Sequence, residues 1–281
     1  MQSKTKMVKV PGLGMDFEIL ADDTIIGPAI EKGSWEDHET ALFTAHIVPG
    51  CRVVDLGANI GWFAVQAILA GAQVEAFEPV PFIADVAERN IQRANDLAGA
   101  RGGKGTLHRF AAGAESCTAQ IALADGNHGD NRVLNEGDSL PSDMDKAEGI
   151  EIRVERVDDH VKGPIRVLKI DTQGSEWLAL QGAKELIASS PQLAMLIEFW
   201  PYALRECQPK QLLDLMVDSG FTLGKATAAP YPITVDRLLK QASHGDPVKS
   251  GFDLYCVKDL PFHVLGMGAR LRGMARGMKE E

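Results

Sequence analysis

The chain has 281 residues, of which 45% are hydrophobic, and its 29 Lys and Arg against 39 Asp and Glu give a formal net charge of −10. This acidic balance argues against nucleic-acid binding, because phosphate contacts need clustered Lys and Arg, and against electrostatic attachment to an anionic membrane. The most apolar region, 53–77, contains polar residues and glycines, so it lacks the roughly 20 consecutive apolar residues of a membrane span. The four cysteines form no short-spaced pair, which predicts reduced thiols in a cytoplasmic protein rather than a zinc site.

The distribution of Gly, Pro and apolar residues divides the chain into three parts. Residues 1–48 contain short alternating stretches at 15–20 and 24–26, which predicts a small β-rich N-terminal extension. Residues 49–260 alternate between strand and helix patterns, which predicts a doubly wound, mostly parallel, Rossmann-like α/β sheet. In 261–281 apolar residues recur at near-heptad spacing among arginines, but the glycines favour a frayed tail, and we do not expect it to contact a membrane.

Apolar periodicity predicts the individual elements of the core. Strands are expected at 52–56, 73–77, 106–112, 165–170, 193–199, 221–225 and 252–257. Helices are expected at about 60–70, from 81 onwards, at 173–188 and at 209–219. Because ligands of such sheets bind beyond the carboxyl ends of the strands, polar residues at those ends are the candidate site.

Residues 113–163 interrupt the alternation. Strand patterns at 118–123 and 151–157 flank a polar stretch rich in Gly, Asp and Asn, which predicts an inserted loop or hairpin that contacts the acceptor. His128 lies in this stretch and is a candidate general base, although a solvated turn explains the same composition. His160 could join Asp171 at a metal, but the spacing does not require it, and we predict no metal site.

A glycine turn follows the first core strand. It contains Gly57 and Gly61, with Asp55 before it and Asn59, a good N-cap residue, between the glycines. Glu78 closes the next strand, 23 positions after Asp55, where an acid can accept hydrogen bonds from ribose hydroxyls. A carboxylate at position 55 would repel a pyrophosphate but attract an ammonium group, so the pattern favours S-adenosylmethionine. A nicotinamide-dependent oxidoreductase and a non-catalytic nucleoside-binding protein remain the alternatives.

The same residues carry a resemblance to the FkbM-type family of methyltransferases. The matching segments are VVDLGANIG at 53–61, AFEP at 76–79, and LKIDTQGSE at 168–176 with its continuation to 199, preceded by GSWE at 33–36. Gln173 departs from the pattern, because the family usually has an acid there. The resemblance implies a class I methyltransferase fold completed by an antiparallel strand pair. It implies S-adenosylmethionine as donor and a hydroxyl of a natural product or sugar as acceptor.

The resemblance also implies roles for individual residues. Asp55, Gly57, Asn59 and Gly61 would line the methionine end of the donor and Glu78 would hold the ribose, with a further contact expected from Glu36.

Three residues are candidates for the chemistry of the acceptor. Asp171 ends the strand beside the cofactor strand and could act as a base, as an orienting acceptor, as a metal ligand or only as a helix cap. Glu198 ends an apolar strand, where a carboxylate must find partners or border a cleft. His128 is the third. Glu176 is as well explained by the helix dipole as by a site role. The acceptor is expected to be a small molecule or carbohydrate, and a homo-oligomer stays open.

Overall fold

A seven-stranded sheet forms the centre of the molecule in the computed structural model, which describes residues 4–33, 35–134, 149–246 and 250–265. The elements are β1 (Thr5–Lys9), β2 (Asp16–Leu20), α1 (Ile26–Glu31), α2 (Asp37–Ala45), β3 (Arg52–Leu56), α3 (Trp62–Leu69), β4 (Gln73–Phe77), α4 (Pro81–Ala98), β5 (Lys104–His108), β6 (Ala111–Ala112), β7 (Cys117–Ala122), β8 (Arg132–Leu134), β9 (Ile150–Glu155), α5 (Val157–His160), β10 (Val167–Ile170), α6 (Glu176–Gly182), α7 (Lys184–Ala188), β11 (Leu193–Phe199), α8 (Pro209–Asp218), β12 (Thr222–Lys225), α9 (Val235–Ala242) and β13 (Phe252–Lys258). The apolar heptad-like positions 267–278 predicted for the tail lie outside the described residues.

The strand order of the large sheet is β12-β13-β11-β10-β3-β4-β5. Strands β3, β4, β5, β10 and β11 are parallel, and β13 is antiparallel to both of its neighbours. The strand order reverses direction between β3 and β10, which is the switch point where doubly wound sheets bind ligands. The predicted doubly wound fold, completed by an antiparallel strand pair, is confirmed.

Both faces of the central strands are covered, so β3, β10 and β11 consist of nearly continuous apolar runs. One face packs against α2, α3 and α4 and contributes Val53, Val167 and Leu196 to the first core cluster. The other face packs against α6, α7 and α8 and forms the second cluster. Helix α4 begins at Pro81 and buries an apolar stripe on the first face. Within the part of the chain that is described, no helix has the length and apolarity to cross a bilayer.

The N-terminal extension is half helical rather than entirely β-rich. The hairpin of β1 and β2 docks on α4, where Glu18 accepts hydrogen bonds from Arg89 and Arg93, each at 2.9 Å. The strand predicted at 24–26 does not form. Asp23 Oδ1 accepts hydrogen bonds from the amides of Ile25 and Gly27 at 2.9 and 3.0 Å, and this satisfies the start of α1 instead.

The insertion forms a separate four-stranded sheet of order β6-β9-β7-β8. The strand predicted at 106–112 is therefore wrong as one element: β5 ends at His108 in the large sheet, and β6 pairs with β9 in the small one. The two strands predicted in the insertion are β7 and β9, with bounds shifted by one or two residues. Residues 135–148 of the insertion lie outside the described ranges.

The helix predicted at 173–188 begins later and is broken. Gln173 and Gly174 have φ angles of 51° and 101°, so they form a left-handed turn, and α6 begins at Glu176. Glu176 Oε1 accepts hydrogen bonds from the backbone amides of Thr172 and Gly174 and from the Thr172 hydroxyl, at 3.0–3.1 Å. The buried carboxylate of Glu176 thus braces the loop after β10, which is a structural role.

Candidate active site

A cavity of about 470 Å³ opens at the carboxyl ends of the parallel strands, beside the switch point. The insertion covers one side of it and the loop before α2 covers another. Its wall includes most of the residues singled out from the sequence, namely Glu36, Gly57, Asn59, Glu78, His128, Asp171 and Glu198. Asp55 and Gly61 are the two predicted cofactor residues that do not border it. The fold therefore gathers residues from six separate segments into one cleft of the size that binds small molecules.

The backbone amides of the glycine turn are already hydrogen-bonded inside the protein. Gly57 and Ala58 both donate to the carbonyl oxygen of Phe77, at 3.0 and 2.9 Å, and Asn59 donates to Glu78 Oε2 at 3.0 Å. The amides of the next two residues are also satisfied within the turn. A pyrophosphate needs free amides at such a turn, so this turn is unsuited to a dinucleotide.

Gly57 brings the turn against the end of β10. Its φ is +80°, and a Cβ atom built on it would lie 1.8 Å from the carbonyl oxygen of Asp171. Only glycine fits here, for reasons of both conformation and space. The tight fit fixes the glycine turn relative to Asp171.

Asn59 does not cap α3, contrary to prediction. It has a left-handed φ of 49°, and the N-cap position is occupied by Gly61. The Asn59 side chain instead accepts from the Ile60 amide at 2.7 Å and donates to the His128 carbonyl at 2.9 Å, which joins the turn to the insertion. Gly61 packs against α4 rather than against the strand, since a Cβ there would lie 3.5 Å from Ala87 Cα and O.

Glu78 presents a carboxylate to the cavity from the end of β4. Oε2 accepts from the Asn59 amide at 3.0 Å and Oε1 from the Val80 amide at 2.9 Å. Burial raises the pKa of Glu78 to about 7, although these two amides oppose the shift. Each carboxylate oxygen can accept a second hydrogen bond, so the group is held in place and can still receive two hydroxyl donors.

Asp55 lies within β3, two residues before Gly57, and is fully buried. Neither of its oxygens makes a hydrogen bond, although the Ala64 amide at the start of α3 is close enough to lower its pKa slightly. Burial raises the pKa of Asp55 to about 6, against the opposing charge of Lys169. Its charge acts on two residues of the cavity wall, because it helps to raise the pKa of Lys169 and that of Glu78.

Lys169, like Asp253, is a charged residue of the cavity wall that was not predicted from the sequence. It is 6% exposed and borders the cavity from the middle of β10. Its Nζ donates to Asp171 Oδ2 at 2.8 Å and lies 4.5 Å from the centre of the Phe63 ring. Burial alone would lower the pKa of Lys169, but the carboxylates of Asp171, Glu36 and Asp55 raise it above its ordinary value. The sequence did contain a signal for this residue. Lys169 lies inside a four-residue strand that is otherwise apolar, and a lysine is rarely buried there unless it is paired.

Asp171 is held from two sides. Lys169 Nζ binds Oδ2, and Gln173 Nε2 donates to Oδ1 at 2.8 Å. Gln173, which stands where an acid is usual, thus supplies a donor to the neighbouring carboxylate instead of a second negative charge. The arrangement fixes the Asp171 carboxylate at the cavity wall and leaves further acceptor positions on both of its oxygens.

Three more carboxyl groups border the cavity beyond Asp171. Glu198 is the last residue but one of β11 and is paired across the sheet with Asp253 of β13, while Glu36 precedes α2 with a left-handed φ of 47°. Burial raises the pKa of Glu36 and of Glu198 well above the usual range, and that of Asp253 to about 7, with neighbouring carboxylates adding to the effect and Lys169 opposing it. Asp253 was not predicted, because its strand reads as an ordinary terminal element.

His128 borders the cavity beside Asn59, whose side chain donates to its carbonyl. Its ring packs edge-on against Phe82, and Nε2 is 3.3 Å from Asp22 Oδ1 without making a hydrogen bond. His160 instead contacts Glu155 and packs against the Phe110 ring, outside the cavity wall. The described residues contain no group of three or more His, Cys, Asp or Glu side chains arranged to hold a metal ion.

A family model described as "Methyltransferase FkbM domain" matches residues 55–223. Among curated proteins no match is found. Solved structures with a similar fold include the methyltransferase FkbM of Methylobacillus flagellatus, at 20% identity, with 78% of this chain and 50% of that chain covered and a TM-score of 0.43. Another is the magnesium protoporphyrin IX methyltransferase ChlM of Synechocystis with bound SAM, at 13% identity, with 84% of this chain and 85% of that chain covered and a TM-score of 0.42. The chain spans half the length of the first of these structures.

Proposed function

The chain belongs to the FkbM methyltransferase domain family, and we propose on that premise that it is a cytoplasmic, S-adenosylmethionine-dependent O-methyltransferase. Its acceptor is a hydroxyl of a small natural product or sugar. The observation that carries the proposal is that Glu78, Gly57 and Asp171 border one cavity at the switch point of the sheet. A ribose-binding acid, a closely packed glycine turn and a positioned carboxylate are the three parts that the reaction needs.

The residues present fit this donor. Glu78 has acceptor capacity for two ribose hydroxyls, and its backbone partners hold it at the end of β4. The glycine turn offers no free amide to a phosphate, which disfavours the nicotinamide-dependent alternative. Gly57 and Asn59 border the same part of the cavity and would lie against the methionine end.

Asp171 is the proposed base. S-adenosylmethionine supplies a methyl group on a sulfonium sulfur, which keeps the C–S electron pair when the methyl passes to the acceptor oxygen. Asp171 accepts the hydroxyl proton as the new C–O bond forms, and Lys169 and Gln173 hold the carboxylate in place meanwhile. Base assistance of this kind contributes typically about 10²–10⁴-fold, and orientation contributes much of the rest.

Calorimetry and methyl transfer test the proposal together. We expect S-adenosylmethionine to bind and NAD not to bind. Glu78→Gln should weaken donor binding, whereas the control Glu88→Gln, at an exposed position of α4, should not. Transfer of a labelled methyl group to hydroxylated small molecules should be lost in Asp171→Asn. Tight binding of NAD without S-adenosylmethionine would refute the proposal, and donor binding without transfer to any hydroxyl would favour a non-catalytic protein.

A further inference from the structure

The part of the cavity beyond Asp171 has an excess of carboxyl groups. Glu36, Glu198 and Asp253 border it, and Lys169 is the one Lys or Arg among the described residues of its wall. The Lys169 ammonium is already bound to Asp171 and packed on Phe63. The three carboxyl groups therefore share a single cation that is engaged elsewhere.

Strand register places these carboxyl groups away from the donor. Ile170 pairs with Leu56 on one side and with Ile197 on the other, so Gly57, Asp171 and Glu198 lie side by side at the edge of the sheet. Asp253 is paired with Glu198 on the next strand. With about 4.8 Å between neighbouring strands, Glu198 lies about 10 Å and Asp253 about 14 Å from the cofactor strand. In the proposed function, the sulfonium and amino groups of the donor lie near Gly57, at the opposite end of the sheet edge from Asp253.

The alternation of side chains along each strand places Lys169, Asp171 and the carboxyl groups beyond them on one face of the sheet. Residues at i and i+2 of a strand point to the same side, so Lys169 and Asp171 share a face. That face is the one packed against α2 and α3. The loop before α2 adds Glu36 from above. The cluster thus lines a single surface of the cavity.

One oxygen of the Glu198 carboxyl group is unsatisfied. This oxygen, Oε2, is buried and makes no hydrogen bond. An ionised carboxylate in such a place needs a charged donor, and in its absence the group takes up a proton instead. Burial raises the pKa values of Glu198, Glu36 and Asp253, neighbouring carboxylates add to the shift, and Lys169 opposes it only in part.

We propose that the acceptor is an amino alcohol or amino sugar, whose ammonium group is bound by Glu36, Glu198 and Asp253 while its hydroxyl faces Asp171. The inference rests on the proposed function, because that function places Asp171 at the reacting hydroxyl. An ammonium group has three N–H donors and no acceptor, which matches three carboxyl groups. Trp35 also borders the cavity and adds aromatic surface, to which ammonium groups are attracted, whereas the Trp200 ring already carries the Arg132 guanidinium at 4.5 Å. One strand spacing separates Asp171 from Glu198, so the amine and the hydroxyl lie only a few bonds apart.

Binding is measured without catalysis. The full chain is saturated with S-adenosylhomocysteine and titrated by calorimetry with glucosamine, galactosamine and short amino alcohols, each beside its partner in which a hydroxyl replaces the amine. We expect at least one amine to bind about thirty-fold more tightly than its amine-free partner, as a buried charge pair predicts. Equal binding of both series, or no binding of any amine, overturns the inference.

Asp253→Asn tests the carboxylates, with Asp214→Asn on the exposed surface of α8 as the matched control. The amine preference should fall about thirty-fold in Asp253→Asn, while the affinity for amine-free partners stays the same. The melting temperature should not fall, since a buried ionisable group is replaced by a neutral isostere. Glu198→Gln provides a second variant with the same expectation. An equal loss of affinity for both series would mean that Asp253 only shapes the cavity, and it would overturn the inference.

The position of the transferred methyl separates this inference from the proposed function. Methylation of the hydroxyl of an amine-bearing acceptor supports both. Methyl transfer to neutral hydroxyls without amine preference supports the proposed function and overturns the inference. Methylation of the nitrogen of the same acceptors overturns both, because it places the amine instead of the hydroxyl at the methyl group of the donor.

Discussion

Replacement of Lys169 by Met should destabilise the protein in a strongly pH-dependent way. Met keeps an unbranched side chain of similar length that can still pack on the Phe63 ring, but it has no ammonium group. With the Nζ–Oδ2 distance to Asp171 of 2.8 Å, Coulomb's law at an effective dielectric of 20 gives about 6 kcal/mol for this pair. The desolvation of the lysine offsets part of that, and broken buried pairs typically cost about 3–5 kcal/mol. We therefore expect the free energy of unfolding at pH 8 to fall by about 3–5 kcal/mol.

The same substitution should cost much less at pH 5. Burial raises the pKa of Asp55 to about 6 and that of Asp253 to about 7, and Lys169 lowers both. Without the lysine these carboxyls bind protons up to a higher pH in the folded state than in the unfolded state. Stability then falls as pH rises, with a maximum slope of about 1.4 kcal/mol per pH unit for each group.

Urea unfolding of the wild type, Lys169→Met and the exposed control Lys184→Met at pH 5 and 8 measures both effects. The control should change stability by less than about 0.5 kcal/mol at either pH. A loss in Lys169→Met that is the same at pH 5 and pH 8 would refute the argument, because it would mean that the surrounding carboxyls do not depend on this cation.

Three further predictions concern the cofactor turn and the loop after β10. Donor affinity should rise between pH 6 and 8, because burial raises the pKa of Glu78 to about 7 and only the ionised group accepts from both ribose hydroxyls; calorimetry that shows no change in this range speaks against the ribose contact. Gly57→Ala should prevent stable folding, because its Cβ would lie 1.8 Å from the Asp171 carbonyl oxygen. Gly99→Ala should be tolerated, because a Cβ there meets nothing within 4 Å. Circular dichroism should show native secondary structure for Gly99→Ala and its loss for Gly57→Ala. Gln173→Glu should lower the rate of methyl transfer without weakening donor binding, because it places a like charge beside the Asp171 carboxylate and removes a donor to it; an unchanged rate would exclude this positioning role.

The fold could be predicted because its signals are local. Continuous apolar strands alternate with amphipathic helices, and Gly and Pro mark the boundaries between them. The failures occur where side chains decide the backbone. Asp23 converts a predicted strand into the start of α1, and Glu176 holds the loop after β10 in a turn that delays α6. Neither contact is visible in hydrophobic periodicity.

The site was predicted in part for the same reason. Polar residues at strand ends, such as Glu78, Asp171 and Glu198, were identified because topology alone brings those ends together. Lys169 and Asp253 were missed because their positions depend on strand order and register. Lys169 sits within an apolar run, and Asp253 becomes a neighbour of Glu198 only after β13 inserts antiparallel beside β11. Asp55 differs from these residues, because its motif suggested a ligand contact but the residue is fully buried and does not border the cavity, so that contact stays a prediction.

Backbone conformation gives an independent indication that this cavity is the functional site. Among the described residues, five non-glycine residues have positive φ, and three of them, Glu36, Asn59 and Gln173, border the cavity. A left-handed conformation costs a residue with a Cβ roughly 1 kcal/mol or more, which glycine would avoid. Glycine would also remove the Asn59 bridge to the insertion and the Gln173 donor to Asp171. The strained backbone at these positions is therefore best explained by what their side chains do in the cavity, and glycine at either position should stabilise the turn while it weakens the site.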